Sequence, residues 1–334
     1  MRFTETGTEN AMVWNRRAAP FMEVWYATVT HRGRGSGLWV RYTLTSPRDG
    51  EPSCALWACY FDRDGKRSFA GRNDYSTDML AHVPGRDDGA VMRVGDAWMT
   101  ETHLEGRVTA GDRAMEWSLD VDPASRCYHH LPGPLRRRAA QRFSTVCSPN
   151  LDVPFSGTVT VDGEVVEYEG EPGQQSHRWG RRHPQSWAWL HCASWDGPTD
   201  AVVEAVTARA ARGLPALTFP YMTYRAEDVV FPAWFVHGRV ELPAWSFTAS
   251  HAEWRIVATA RLPLDRSVQV RYDDPGGGTR YCANSEVADL TIDVFRSVPF
   301  PRRSWRYVET LVSTGGAHFE IGRPEPFPEL PVAF

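Results

Sequence analysis

The chain has 334 residues, 42% hydrophobic and 12% aromatic, with a formal net charge of −4 and a pI near 6.3. A core-poor disordered chain is excluded by that hydrophobic share, and the balance of charge implies no global pull toward nucleic acid. Gly and Pro together supply 27 and 24 residues, a surplus that favours turns and strands over helical bundles.

Apolar alternation with period two dominates the chain order. Strands are expected over 22–31, 38–44, 54–61, 115–121, 157–168, 186–195, 201–209, 234–242, 246–262, 267–272 and 287–295. Val161-Asp162-Gly163-Glu164 is the strongest hairpin turn, and only 134–142 reads as a short helix. The basic run Arg136-Arg137-Arg138 with Arg142 then lies on that helix as a solvated face. Met1–Thr6 lacks the apolar core of a signal peptide, and no window reaches the 18 or more apolar residues a membrane helix needs. A cytoplasmic protein is therefore expected. The cysteines at 54, 59, 127, 147, 192 and 282 form no CxxC pair and read as reduced, buried thiols. Of the 37 Lys and Arg residues, only Lys66 is lysine, a skew that fits GC-rich coding.

Many short strands with frequent turns predict an all-β fold of barrels or sandwiches, and the length suits two barrels. A faint echo supports two units. Trp25 and Gly37–Arg41 resemble Trp179 and Ser186–Leu190, at an offset of about 150 residues. Residues 1–173 and 174–334 are the expected domains. No glycine-rich phosphate loop follows a strand, so no nucleotide is expected.

Chemistry concentrates in 173–197, which holds three of the eleven histidines and four of the fourteen tryptophans. On a strand, Trp187, Trp189, His191, Ala193 and Trp195 share one face, opposite Ala188, Leu190 and Cys192. Such a wall suits a bulky apolar ligand, and each indole face can stabilise a developing cation by about 0.5–2 kcal/mol. It also suits an ordinary core. His177, His183 and His191 lack a clustered carboxylate or thiolate to complete a metal site, so no metal is expected.

Gln175-Ser176-His177-Arg178-Trp179-Gly180 followed by Trp187-Ala188-Trp189 resembles the signature of the carotenoid 1,2-hydratase and AttH-like lipocalin superfamily. Tocopherol cyclases and fungal decalin-forming Diels–Alderases look related to it. The resemblance implies two consecutive lipocalin-like antiparallel β-barrels, with the His-x-Trp motif near their junction and facing a ligand cavity. It also implies that His177 and Trp179 assist protonation of a polyene and stabilise the cation. The hydratase branch carries a tyrosine and an aspartate, one residue apart, on a following strand. Here Val202–Arg209 has neither, and its one carboxylate is Glu204. Buried, Glu204 would act as a proton donor; facing out, it is an ordinary strand glutamate.

Strand parity adds Trp39 with Arg41, a pair able to bind a carboxylate or enolate. Asp62 reads as a turn residue. Tyr221 and Tyr224 could hydrogen-bond a ligand carbonyl or sit as plain aromatics over an apolar mouth. The expected catalytic residues are thus His177, Glu204 and His191. The expected substrate wall is Trp179, Trp187, Trp189, Trp39, Arg41, Tyr221 and Tyr224. Together they point to a cofactor-independent cyclase, hydratase or isomerase acting on an apolar small molecule such as an isoprenoid or polyene. The alternatives are a pericyclase that folds a polyene and a non-catalytic lipid or isoprenoid carrier.

Overall fold

A computed structural model describes residues 2–5, 7, 9–65, 67–82, 92–298 and 304–334, without the side chains of 80–82. Lys66 and the ends of the Met1–Thr6 stretch lie outside the described residues. The fold is all-β and falls into two antiparallel sheets, one of 13 strands and one of 10. These are two consecutive lipocalin-like units. Alternation is the physical cause: in Phe21–His31 and Ser36–Ser46, every second residue enters the first unit's interior. Trp25, Ala27 and Val29 pack there with Leu38, Val40, Tyr42, Trp117 and Phe155. The second interior is built likewise from Ala188, Leu190, Met222, Trp245, Phe247, Ile292 and Phe319.

The first sheet runs from Phe69–Ser76 through Ser53–Asp62, Ser36–Ser46 and Phe21–His31 to Glu164–Gly180 and Ser144–Val161. It continues into Arg113–Val121 and His103–Ala110. It ends in three short strands, Ala97–Met99, Met92–Val94 and Leu80–His82. The Phe69–Ser76 edge meets His103–Ala110 through a side chain rather than a strand ladder. The Asn73 amide donates to the Thr109 carbonyl at 3.0 Å and accepts the Thr109 N–H at 3.0 Å. The second sheet is organised around Ser186–Cys192, which pairs with Val202–Arg209 on one side and Ser304–Arg323 on the other.

The Val161–Glu164 hairpin forms as expected, with Asp162 at φ 50° and Gly163 at φ 85°. Those left-handed values are what a two-residue hairpin turn requires, and glycine adopts the second without strain. The expected helix is present as Gly133–Arg142, with Pro134 in its first turn and Arg137, Arg138 and Arg142 exposed. The run 246–262 is two strands, Ala244–His251 and Trp254–Arg261, because Ala252 takes φ 49° and folds the chain back. Glu164–Gly180 stays paired with Phe21–His31 as far as Gly180, so the expected 173/174 division falls inside a strand of the first sheet. The sheets exchange between Gly180 and Ser186.

All six cysteines are buried and free. Among the described residues no helix is long and apolar enough to cross a membrane.

Candidate active site

Both faces of the central strands are buried, and this decides where a site can form. The residues of opposite parity to each interior face the other unit. Trp39, Trp57, Cys59 and Phe61 of the first sheet pack there against Trp187, Val270, Tyr272 and Cys282 of the second. Within this seam lies a cavity of about 140 Å³. Its walls are mostly aromatic and aliphatic: Tyr26, Trp39, Trp187, Trp189, Phe219 and Tyr272, with Val24, Leu131 and Val206. Its polar groups are Arg41, His130, Ser144, Thr145, Arg178 and Glu320. An apolar wall with a few convergent polar groups is the usual make-up of a small-molecule site. Larger surface grooves lie elsewhere, one along Val236–Leu242 and one around Asn73, Tyr75 and Glu105, lined largely by strand-edge polar groups.

Four of the sequence-predicted wall residues are in the cavity: Trp39, Arg41, Trp187 and Trp189. Glu204 stands directly behind it, fully buried on Val202–Arg209. Its Oε1 accepts the Trp189 Nε1–H at 2.9 Å. His130 Nε2 is 2.9 Å from the same oxygen, although off the line that a hydrogen bond requires. Glu204 Oε2 and His130 Nδ1 have no partner among the described residues. A buried carboxylate thus touches two residues of the cavity wall, one of them an imidazole.

His177 is placed differently from the expectation. It is fully buried and stacks on Trp25 with centroids 4.7 Å apart. Its Nδ1 is 2.5 Å from the Glu9 carbonyl and its Nε2 3.0 Å from Glu23 Oε1. Glu23 also accepts the Val13 and Trp14 backbone N–H groups, at 2.6 and 2.8 Å. His177 therefore ties the N-terminal segment to the first unit. Trp179 shares its parity and packs with it, at 4.7 Å between rings. It is Arg178, between them, that turns into the cavity. The reason is the period of two: in a two-sided buried strand, neighbours go to opposite layers.

His191 likewise pins the seam instead of lining the cavity. Its Nε2 meets the Leu151 carbonyl at 2.8 Å and its Nδ1 meets His318 Nδ1 at 3.2 Å. His318 in turn contacts the Thr30 hydroxyl at 2.8 Å. Burial pushes both imidazoles below their usual range, His318 strongly. Tyr221 packs at a tilt on Tyr128, with ring centroids 4.7 Å apart, and donates to Asp228 at 2.6 Å. The Tyr224 ring packs in the second interior, and its hydroxyl reaches out to the partly exposed Glu309. Neither tyrosine is on the cavity wall.

Four polar residues that the sequence reading did not single out complete the site. Tyr26 meets Trp189 edge-on at 5.9 Å, and burial with the charges of Glu204 and Glu320 keeps its hydroxyl protonated far above the ordinary range. Glu320 accepts the Trp187 Nε1–H at 2.7 Å. Arg178 donates to Ser144 Oγ at 3.1 Å, and desolvation together with repulsion from Arg41 lowers its pKa. His130 is the fourth. Parity on Arg126–His129 and its extension points Tyr128 and His130 one way, toward the seam, and Cys127 and His129 the other. Cys127, His129 and Cys147 form a separate buried group, with ligand atoms within 4.8 Å of one another. Asp62 follows its turn role, its carboxylate accepting the Asp64 backbone N–H at 3.2 Å.

Residues 98–323, more than half of the chain, match the family model described as tocopherol cyclase-like. The chain belongs to the tocopherol cyclase-like family. An uncharacterised protein of Mycobacterium tuberculosis, found in two strains, is 25% identical over 319 residues, covering 92% of this chain and 88% of its own length. Among solved structures, one assigned as AttH from Nitrosomonas europaea aligns with a TM-score of 0.53 at 11% identity, over 96% of this chain and 99% of that one. Kievitone hydratase from Nectria haematococca aligns with a TM-score of 0.51 at 9% identity, over 97% and 96%. At such identities the likeness is one of fold, and it spans both units.

Proposed function

We propose that this member of the tocopherol cyclase-like family is a cofactor-independent cyclase, hydratase or isomerase acting on an apolar unsaturated small molecule held in the seam cavity. The observation that carries the reading is Glu204, a fully buried carboxylate in contact with both Trp189 and His130 on the cavity wall. In this reading the His130 imidazole, on the cavity wall with the Glu204 carboxylate 2.9 Å behind it, delivers a proton into the apolar space. Transferred to a substrate double bond, it leaves a carbon cation beside the faces of Trp189 and Tyr26. Each aromatic face stabilises such a cation by about 0.5–2 kcal/mol. Attack by water then gives hydration and attack by an internal hydroxyl gives ring closure. Loss of a different proton gives isomerisation. In every case the proton returns to the His130–Glu204 pair or to solvent.

The chain's tocopherol cyclase-like membership supports the cyclase side, and its fold-level likeness to kievitone hydratase is compatible with either outcome. The experiment is turnover of prenylated and terpenoid polyenes by the purified full chain, with products separated by mass. Glu204→Gln and His130→Asn should each lower the rate about 10²-fold or more, the usual worth of a positioned acid. Full activity in Glu204→Gln would replace proton transfer by a pericyclic role that needs shape alone. Ligand recovered unchanged after extended incubation would leave a carrier.

A further inference from the structure

Two guanidinium groups, that of Arg41 buried and that of Arg178 half-buried, face the cavity, and neither makes a direct ion pair among the described residues. Arg41 is 6% exposed, and its one side-chain hydrogen bond among the described residues runs from Nε to Thr43 Oγ1 at 3.0 Å. Its guanidinium carbon lies 4.3 Å from the Tyr272 ring centroid and 5.2 Å from that of Trp57, so aromatic faces pack around it while its terminal nitrogens stay without an acceptor. Arg178 reaches only Ser144 Oγ. No carboxylate oxygen among the described residues comes within 4.0 Å of either group; Glu320, the one acid on the wall, is engaged by Trp187 and by Cys282, whose thiol is 3.4 Å from Oε2. A buried charge left unpaired costs several kcal/mol, and natural proteins keep such groups paired or use them.

Nearby groups do not supply the missing anion. His183 stacks on Tyr272 at 5.3 Å, and burial plus the three arginines 178, 41 and 280 drives its pKa down, as expected beside uncompensated positive charge. Asp274 lies 3.9 Å from His183 Nδ1 and from Arg280, and its carboxylate is already bonded to the His183 and Gly276 backbone N–H groups. Arg41 also borders a smaller hollow of about 90 Å³ shared with His183, Arg72 and Asp273, where Arg72 is paired with Asp74 and Asp273 with Arg271.

We infer that the cavity's ligand carries a carboxylate, bound by Arg41 and Arg178, with its apolar unsaturated part lying along Trp187 and Trp189 toward His130. The inference rests on the proposed reading of the seam cavity as the substrate site and names the class of substrate that it takes. Arginine suits the task, because its planar fork matches both oxygens of a carboxylate and stacks on aromatic rings. The arrangement also orders the reaction. A cation forming next to two guanidiniums would be repelled, so the protonated carbon belongs at the Trp189–His130 end and the anion at the other. Trp187 and Trp189 are two residues apart on one strand, which separates the ends by about 7 Å or more.

The test is a matched pair of probes, geranic acid and geraniol, which share a carbon skeleton and differ in carboxylate against hydroxyl. Binding to the full chain is read by tryptophan fluorescence and calorimetry at pH 8. Geranic acid should bind about tenfold or more tightly than geraniol, the usual strength of a charge-assisted pair. Arg41→Gln and Arg178→Gln should each erase most of that preference, Arg→Lys at either position should restore part of it, and Glu204→Gln should leave it in place. Val206→Trp, which fills the cavity and spares both arginines, should abolish binding of both probes. Equal affinity for acid and alcohol, both lost in Val206→Trp, would overturn the carboxylate and leave the cavity reading standing. Binding of neither probe would overturn both. Retained acid preference in folded Arg41→Gln and Arg178→Gln proteins, checked by their melting temperatures, would also overturn the assignment.

Discussion

The interiors of the two units and the seam between them are made from the same strands, one from each parity, yet they differ in kind. Inside, Trp25, Leu38, Val40, Tyr42 and Phe155 on one side and Leu190, Trp245, Ile292 and Phe319 on the other form closed apolar cores. Across the seam the same strands present Tyr26, Trp39, Arg41, Trp187, Trp189 and, from one position beyond His177, Arg178. On the reading proposed above, the ligand lies where the two units meet, and charged side chains gather there because each unit supplies only part of the wall.

The adjacent pair His177 and Arg178 is the sharpest way to break this contrast. His177→Ala should destabilise the fold by about 3–5 kcal/mol, because it strands the buried Glu23 carboxylate and unseats Trp25. Arg178→Gln should change stability little or raise it, since it removes a half-buried charge that makes no direct ion pair among the described residues. Denaturant melts of both variants decide this, and a large loss in Arg178→Gln with none in His177→Ala would reverse the assignment of layers. A second pair tests volume. Leu190→Ala, in the closed interior of the second unit, should cost about 2–5 kcal/mol. Val206→Ala, on the cavity wall, should cost under about 1.5 kcal/mol, because the lost methyls enlarge a space that already exists.

The seam itself is tightly packed away from the cavity. A Cβ at Gly37 would lie 2.4 Å from both the Glu286 side chain and its backbone oxygen. Gly37→Ala should therefore push the units apart at that point and cost about 1–3 kcal/mol, read as a lowered melting temperature. The same crossing shows what the sequence could and could not convey. Period two identified the strand at 186–195, which ends at Cys192 and leaves Ala193 and Trp195 beyond it, and the hairpin at 161–164. It paired Trp39 with Arg41 and Trp187 with Trp189 correctly, since parity is local. Which parity meets the other unit is a tertiary fact. Both faces of the second half of Glu164–Gly180, residues 173–180, are covered, so its pattern carries no mark separating His177 from Arg178. His130 was hidden for another reason: it sits just past a four-residue strand, too short for alternation to register. The 20-residue strand Ser304–Arg323 also escaped notice, its outer half being largely exposed and its pattern interrupted by Gly315 and Gly316.

The smallest effect expected is a difference in pH response between the buried histidines and the buried acid Glu286. Burial lowers the pKa of His191, and lowers that of His318 further with help from His191. His129, on the far face of its strand, is pushed down to about 4 by desolvation and by Arg136. For each, the unfolded chain takes up a proton near pH 6.5 while the folded one resists, so stability should fall as pH drops from about 6.5 toward 4. Glu286 has the opposite sign. It is fully buried, bonded by Asn284 at 3.1 Å, with Oε2 3.7 Å from His318, and desolvation raises its pKa well above the carboxylate range. The unfolded glutamate ionises first as pH rises past about 4.5, so this group withdraws stability upward through its folded pKa. Glu286→Gln should therefore gain stability relative to the parent as pH rises above about 4.5, while His318→Gln should flatten the loss below 6.5. Melting temperatures of the three proteins from pH 4 to 8 measure both slopes. Parallel curves would mean that neither group titrates with folding and that the polar residues of the seam act by packing alone.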